Sequence, residues 1–506
     1  MRKIKLLTLF ILVSLFAQAS SVVSTWNGSL LGDWNVATNW NPATNYPDNG
    51  NAGNNYTSFI ANATVTLGSN ISLDALSLTN ATLSGNFTLS IFSLGQTTIA
   101  GSNTLSAGTT LSPLGAFTFA DSSASLTNHG TLQFNATNNF GSAYSASNAT
   151  LTNAATGTIR FDPSSSVSVG DFSTSPFLLT NHGTILADNG QSHSLYAPVS
   201  NTGLIHVATG TSLSLQKPFV QNAGEVRVEN ASLSSAFGQT LVFQGGLLRA
   251  SGTINAPLSL ANTALEIGAA QSAASLSLTG NLTLLSGTSV SFDLNGLTPG
   301  IGYDSLAVNG GVTLGGDFLF RLSAGFASTL TATNQFTLIN ATSFTGAFAN
   351  IASGQRLTSS DYTDSFLLTL TGTALTLSDY ARLSAFETFM LAAGVPLDQR
   401  APTADPDGDG TSNLLEFALG LAPLTPDTDG LPLLALINGD LSLTYIRARP
   451  ADIIYSVQTT TNLATPSSWT TANVTQGTPA TDGLTTATIP LGGPARFLRL
   501  RVALTP

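Results

Sequence analysis

The sequence predicts an all-β chain: a right-handed parallel β-helix (a solenoid), then a short helical joint around an acidic loop, then a small antiparallel β-sandwich. The first observation behind this is a repeat. Leu126-Thr-Asn128-His-Gly130-Thr-Leu132, Leu151-Thr-Asn153 with Gly157-Thr-Ile159, Leu179-Thr-Asn181-His-Gly183-Thr-Ile185, Val199-Ser-Asn201-Thr-Gly203-Leu-Ile205 and Val220-Gln-Asn222-Ala-Gly224-Glu-Val226 share one pattern. Each joins a strand end, an Asn–Gly corner and a second strand, and the asparagines recur every ~20 to 28 residues, a solenoid period. A unit that short cannot bury its own apolar side and needs neighbours above and below. The second observation is period-two alternation from about Asn62 to Leu377; the third is the run Asp405 to Glu416.

The elements follow in chain order. Residues 1–19 read as an export signal: Arg2, Lys3 and Lys5, an apolar run from Leu6 to Phe16, and Ala17-Gln-Ala19 as a small-x-small cleavage site. The run is too short to span a bilayer, and no later stretch is apolar enough to cross as a helix. Residues 20–61 hold Trp26, Trp34 and Trp40, three of the four tryptophans. They are expected to cap the exposed sheet edge of the first coil; the alternative is a platform for stacking sugars.

In 62–378, Val65/Leu67, Ile71/Leu73, Leu76/Leu78 and Phe87/Leu89/Ile91 alternate with Ser, Thr and Asn, and Gly-Ser or Gly-Asn pairs punctuate them. Alternation alone fits a sandwich, a barrel or a β-helix. The recurring corner favours the β-helix, because parallel stacking superimposes like residues and lets Asn amides bond up the column. Asn also tolerates a left-handed corner. The joint spans 379–430 and the sandwich 431–506, with strands at Leu441–Ile446, Ile453–Val457, Thr486–Ile489 and Phe497–Val502 and Trp469 as its large anchor.

Composition excludes some functions. A net charge of −11, with Lys217 the one lysine after residue 19, argues against nucleic-acid binding, which needs clustered cations. The absence of cysteine removes disulfides and thiolate metal sites.

One motif carries chemistry. In Asp405-Pro-Asp407-Gly-Asp409-Gly410-Thr411-Ser-Asn413-Leu-Leu-Glu416, every ligand position of a twelve-residue calcium loop is filled. Asp405, Asp407 and Asp409 offer side-chain oxygens, Gly410 permits the turn, Thr411 offers its carbonyl, Asn413 takes the ninth place and Glu416 closes the shell. Hard oxygen donors without His or Cys favour calcium. Leu383, Phe386, Met390 and Ala393 space an incoming helix; Leu414–Leu419 forms an outgoing one stopped by Gly420 and Pro423. The alternatives are an unliganded acidic linker and a partner-docking module.

Catalysis is the competing reading, because parallel β-helices include polysaccharide lyases and glycosidases. The acids Asp74, Asp121, Asp171, Asp188, Glu225, Glu229, Glu266 and Asp293 are scattered, with Glu225 and Glu229 flanking Arg227 as a solvated strand face. Aligned on the corner, Gln133, Arg160, Leu186, His206 and Arg227 fall in one outward column. Arg160, His206 and Arg227 are the candidate contact with an acidic glycan. His129 and His182 read as turn residues.

Three resemblances extend this. Trp26-Asn-Gly28, Gly32-Asp-Trp34 and Asn39-Trp40 look like the opening of bacterial autotransporter passenger domains. Leu276–Leu284, Tyr303-Asp-Ser-Leu306, Val312–Gly316, Phe336–Thr342 and Gly346-Ala-Phe348 are similar to the autotransporter-associated final coils. The segment that follows is short for a translocator barrel and ends on Pro506, so self-translocation is not expected. The acidic loop resembles an EF-hand loop, and more closely the single loops of dockerins and bacterial thrombospondin type 3 repeats, whose G-x-x-P…D-x-D-G continuation is matched by Gly420, Pro423 and Asp427-Thr-Asp429-Gly430. Ser412 stands where paired EF-hands carry an apolar residue. Tyr455-Ser-Val457, Ser468-Trp469 and Arg496–Leu500 look like a C-terminal domain of verrucomicrobial and planctomycete secreted proteins. Together these imply a bacterial protein exported through the Sec pathway, secreted or held at the cell surface. The expected function is non-catalytic, adhesin-like or structural, with structural calcium and a glycan or other surface component as partner; a β-helix carbohydrate-active enzyme is the alternative.

Overall fold

Alternation turns half of each strand's side chains inward. In Leu178–Asn181, Thr184–Ala187 and Ser192–Leu195, the buried residues are Leu179, Asn181, Ile185, Ala187, His193 and Leu195. Each buried leucine or isoleucine contributes about 1.5–3 kcal/mol. The computed structural model describes residues 20–505, apart from 93–94, 136–147, 162–163, 171–176, 189 and 493–495. Residues 1–19, read above as an export signal, and Asp171 lie outside the described residues.

The architecture is largely parallel, many-stranded and solenoid-like. Strands pair in parallel with equivalents one turn on: Thr150–Asn153 with Leu178–Asn181, and that strand with Val199–Asn201. One sheet runs through fourteen strands, from Leu31–Asp33 to Ser343–Gly346. The described residues cluster into two compact units, 20–329 with 335–355 and 368–377, and 330–334 with 356–367 and 378–505.

Parallel pairing begins before residue 62. Ser20–Trp26 already pairs with Asn54–Ala61, and Leu31–Asp33 with Thr64–Thr66. The tryptophan segment is therefore part of the stack, and only Trp40–Asn41 runs antiparallel to its neighbour. Trp34 and Trp40 are fully buried, edge to face with centroids 4.7 Å apart. Their indole N–H groups donate to Pro47 O and Trp34 O, both at 2.8 Å. Rings buried this way close the interior and leave no face for a sugar. Parallel stacking ends at Gly346, short of 378: Phe336 lies antiparallel opposite Leu377, and Arg356–Thr358 antiparallel to Asp364–Leu370.

The corner asparagines stack as a buried amide ladder. Asn128 Nδ2 donates to Asn153 Oδ1 (2.8 Å), Asn153 to Asn181 (2.7 Å), Asn181 to Asn201 (2.5 Å) and Asn201 to Gln221 Oε1. Two details differ from expectation. None of these asparagines has a positive φ, so the side-chain amide, not a left-handed backbone, is what the corner uses. The fifth rung is Gln221 and not Asn222, because that corner carries one extra residue. The longer side chain of Gln221 reaches the column, and Asn222 turns out to Ser200 Oγ.

The corner glycines answer to close stacking. A Cβ on Gly183 would sit 2.2 Å from Gly157 O and 2.3 Å from Ala154 O, both immobile backbone atoms. Gly183→Ala is expected to cost about 1–3 kcal/mol by overpacking, seen as a lower denaturant midpoint at unchanged slope.

The second unit is built differently. Helices α2 (Ala385–Ala392) and α3 (Asn413–Leu419) follow the single-turn α1 (Ala324–Ala327) of the solenoid. Ser384 and Glu387 form a reciprocal capping box at the start of α2. Glycine at the end of α3 (Gly420, φ 78°) stops it in the left-handed region. Two small antiparallel sheets complete the unit: four strands in the order 433–437, 440–446, 484–490, 475–476, and the pair Ile453–Thr460 with Phe497–Leu504. Phe386, Met390 and Phe417 from the helices share one core with Leu443, Tyr445, Ile453, Tyr455 and Val457 from the strands. Joint and terminal strands are thus one packed body. Trp469 is not its anchor; it is half-buried under the Arg499 guanidinium, 4.3 Å from the ring centroid.

Candidate functional site

The acidic loop is wound by its own carboxylates. Asp405 accepts from the N–H groups of Gly408 and Gly410, both at 2.9 Å, Asp407 from Asp409 (3.2 Å) and Asp409 from Thr411 (2.6 Å). Gly408 and Gly410 have φ of 77° and 91°, which side chains rarely adopt. This winding brings Asp405, Asp407 and Asp409 together, each with an oxygen within 4.8 Å of the others.

A second trio shares Asp409: Asp409, Glu416 and Asp427 meet the same distance condition. Asp427 is the residue that the twelve-position pattern passes over; its place in the D-x-D-G continuation was the available signal. Its N–H donates to Asp409 and its Oδ2 accepts from Ala422. Glu416 is 0% exposed and neither carboxylate oxygen accepts a hydrogen bond; Asp407 Oδ2 and Asn413 Oδ1 are buried and equally unpartnered. Burial, and then the charges of Asp407, Asp409, Asp427 and Asp405, push the Glu416 carboxyl up to about 7. Unmet acceptors are costly inside a protein, at about 1–3 kcal/mol each and more when charged. An all-oxygen donor set around unmet carboxylates fits a hard divalent cation.

The other predicted ligands are placed unevenly. Thr411 is buried at the inner side of the loop. Asn413 commits its amide N–H groups to Gln399 O (2.7 Å) and Ala401 O (2.9 Å). α2 ends at Ala392, and a turn at Leu397–Gln399 intervenes before Asp405, so the helices do not flank the loop directly as in an EF-hand.

The outward column is in register: Gln133, Arg160, Leu186, His206 and Arg227 are successive Cα partners. Its charges are already paired. Arg160 meets Asp188 at 3.0 Å, His206 meets Glu229 at 3.0 Å, and Arg227 meets Glu225 at 2.9 Å and Glu229 at 3.9 Å. The pairing continues through four residues that lie beyond the aligned corners. Glu225 also binds Arg249 (3.2 Å), Glu266 binds Arg249 (2.9 Å) and Arg321 (3.2 Å), and Arg321 binds Asp293 (2.6 Å). Burial pushes Glu266 up, but the bonds from Arg249 and Arg321 hold it below the usual glutamate range. Arg227 and Arg249 are direct neighbours on adjacent strands, a repulsive placement that the shared Glu225 relieves. Extending the column one strand at a time would have found Arg249 and Glu266.

Behind Asp293, at the end of these ion pairs, sits Asp304, 0% exposed, accepting from Ala274 N (2.8 Å) and Asp293 N (2.7 Å). Burial pushes its carboxyl up to about 7, from an ordinary 3.8. The folded state therefore holds a proton that the unfolded chain releases between those values, and stability falls as pH rises through this window. Between pH 5 and pH 8 the loss from this group is expected to be about 2–3 kcal/mol. Hydrogen exchange of the Ala274 and Asp293 amides checks it; Asp304→Asn should flatten the dependence.

Asp293 and Asp304 are joined through the Asp293 N–H, and both are sealed from solvent. A cleft of about 720 Å³ lined by Glu229, Ser251, Ser275 and Ser305 offers one carboxylate, already bonded to His206. His182 bonds Thr202 Oγ1 at its turn, and His193 stacks on Phe161 inside. No helix among the described residues is long and apolar enough to cross a membrane. No protein-family model matches the chain, and no curated protein matches it significantly.

Proposed function

We propose that the chain is an exported, non-catalytic scaffold of a bacterial surface: a right-handed parallel β-helix followed by a calcium-braced unit whose terminal strands form a small β-sandwich. The observation that carries the calcium is Glu416, a fully buried carboxylate with no hydrogen-bond donor, facing Asp409 and Asp427. Asp405, Asp407, Asp409, Glu416 and Asp427 would hold the ion, with Thr411 and Asn413 from the same loop. Its contribution is charge neutralisation: five carboxylates gathered around one position repel unless a cation sits between them. Modules of this kind suit extracellular calcium, where weak sites stay filled.

A non-catalytic role is supported by how the acids of the solenoid are used. Glu225, Glu229, Glu266 and Asp293 each bond an arginine or histidine, and so hold neighbouring strands in register. The same pairing weakens, without removing, a role for Arg160, His206 and Arg227 on an acidic glycan.

Limited proteolysis with and without chelator tests the proposal. Chelation should open residues 378–505 to cleavage while 20–329 stays protected, because one core joins the loop's helix to the terminal strands. Equal loss of both would contradict calcium bracing. Undiminished retention of an Arg160→Gln/Arg227→Gln variant on an acidic polysaccharide would dispose of the glycan contact.

A further inference from the structure

The strand Leu433–Ile437 is anomalous. It reads Leu-Leu-Ala-Leu-Ile, has no charge, and forms the outer edge of the four-stranded sheet. Side chains on both its faces are open: Leu433 is 67% exposed, Leu434 53%, Leu436 67% and Ile437 45%. A strand apolar on both faces belongs in the middle of a covered sheet. At an edge it is a template for another strand, which most proteins blunt with charge.

We propose that this edge pairs with the same edge of a second copy of the chain, antiparallel about Ala435, joining two four-stranded sheets into one of eight. The hairpin sets which groups are available. Asn438 and Gly439 (φ 52° and 88°) make a two-residue turn closing Ile437 on Asp440. In a ladder closed this way, Ile437, Ala435 and Leu433 bond inward, and Leu436 and Leu434 aim their N–H and C=O groups outward. A two-fold axis at Ala435 then puts Leu434 opposite Leu436 of the second copy, twice, so both pairs exchange both bonds. It also puts Leu433 opposite Ile437, and the small Ala435 opposite itself in the closer, non-bonded position. The strand is thus self-complementary in size and in hydrogen bonding. Pro432 has the outward parity but no N–H, so the ladder stops there.

Self-pairing also suits the charge. In a chain of net charge −11, this patch is one where two copies can meet without opposing carboxylates, since Leu431–Ile437 carries none. The added burial is on the order of 1,000 Å² for the pair, at the low end for stable complexes. A reversible dimer is therefore expected, with a Kd of about 10 μM.

Sedimentation equilibrium of the full chain in calcium buffer tests this. Wild type should pass from monomer to dimer across the micromolar range. Leu436→Lys places a charge in the contact and Leu434→Pro removes an outward donor while sparing the hairpin's own ladder; each should weaken association at least tenfold with an unchanged circular dichroism spectrum. Leu397→Lys, also at an exposed leucine (82%) but off this edge, should associate as wild type does. A wild-type chain that stays monomeric to a hundred-fold above the expected Kd, or a Leu436→Lys chain that dimerises normally, overturns the proposal. Either result would also leave the edge to a strand from a different protein.

Discussion

Glu416→Gln is expected to abolish the calcium dependence of the second unit and, in chelator, to raise its melting temperature above wild type. The two halves have opposite signs for one reason. Without an ion, Glu416 is a buried carboxyl with no donor to satisfy it, and its ionised form is opposed by burial and by the charges of Asp407, Asp409, Asp427 and Asp405. A neutral amide removes the repulsion and supplies N–H groups beside the Asp409 and Asp427 carboxylates. With calcium at a hundred times its Kd, wild type gains about 2.7 kcal/mol, and the variant, lacking the closing carboxylate, gains little. Differential scanning calorimetry in calcium and in chelator reads both. Equal melting of the two proteins in chelator would mean that the cluster is not strained, and the calcium assignment would lose its main support.

The other large effect lies in the amide ladder. Asn181 accepts from Asn153 and donates to Asn201, Gly183 O and Leu204 O, with no solvent access. Asn181→Ala should cost about 3–5 kcal/mol, combining a cavity with unmet groups on both neighbours. Asn181→Asp keeps the size but turns a donor into a buried charge, and should be worse above pH 5 than below. Both are measured by denaturant unfolding of the full chain. A cost under about 1 kcal/mol for alanine would show that ordered water or neighbouring groups take over the rungs.

The site was legible where it is local. Asp405 to Glu416 could be read because a calcium loop gathers its donors by turns of a few residues, with glycines where φ must be positive. Asp427 was missed as a donor because its approach depends on α3 and the Gly420 stop carrying the chain back over the loop. The column from Gln133 to Arg227 was legible as a register. The partners of Arg227, Glu225 and Glu229, stand beside it in the chain and were readable; that Asp188 holds Arg160 was not, because the two are 28 residues apart and meet only across stacked strands. The edge strand at Leu433–Ile437 has no alternation to announce it, and the Asn438-Gly439 turn behind it was the readable sign.

By itself the sequence determined the stacked, parallel character of most of the chain. Repetition at a solenoid period and alternation at period two leave few ways to bury one face of each strand. Tertiary structure decided where that stacking starts and stops, which residue takes the fifth rung of the ladder, and that the acidic loop shares a core with the terminal strands. Those outcomes depend on contacts between residues far apart in the chain, where a single extra residue at Gln221–Gly224 shifts the partner. Local patterns cannot carry such information, since the free energy that selects among registers arises only once the strands are packed.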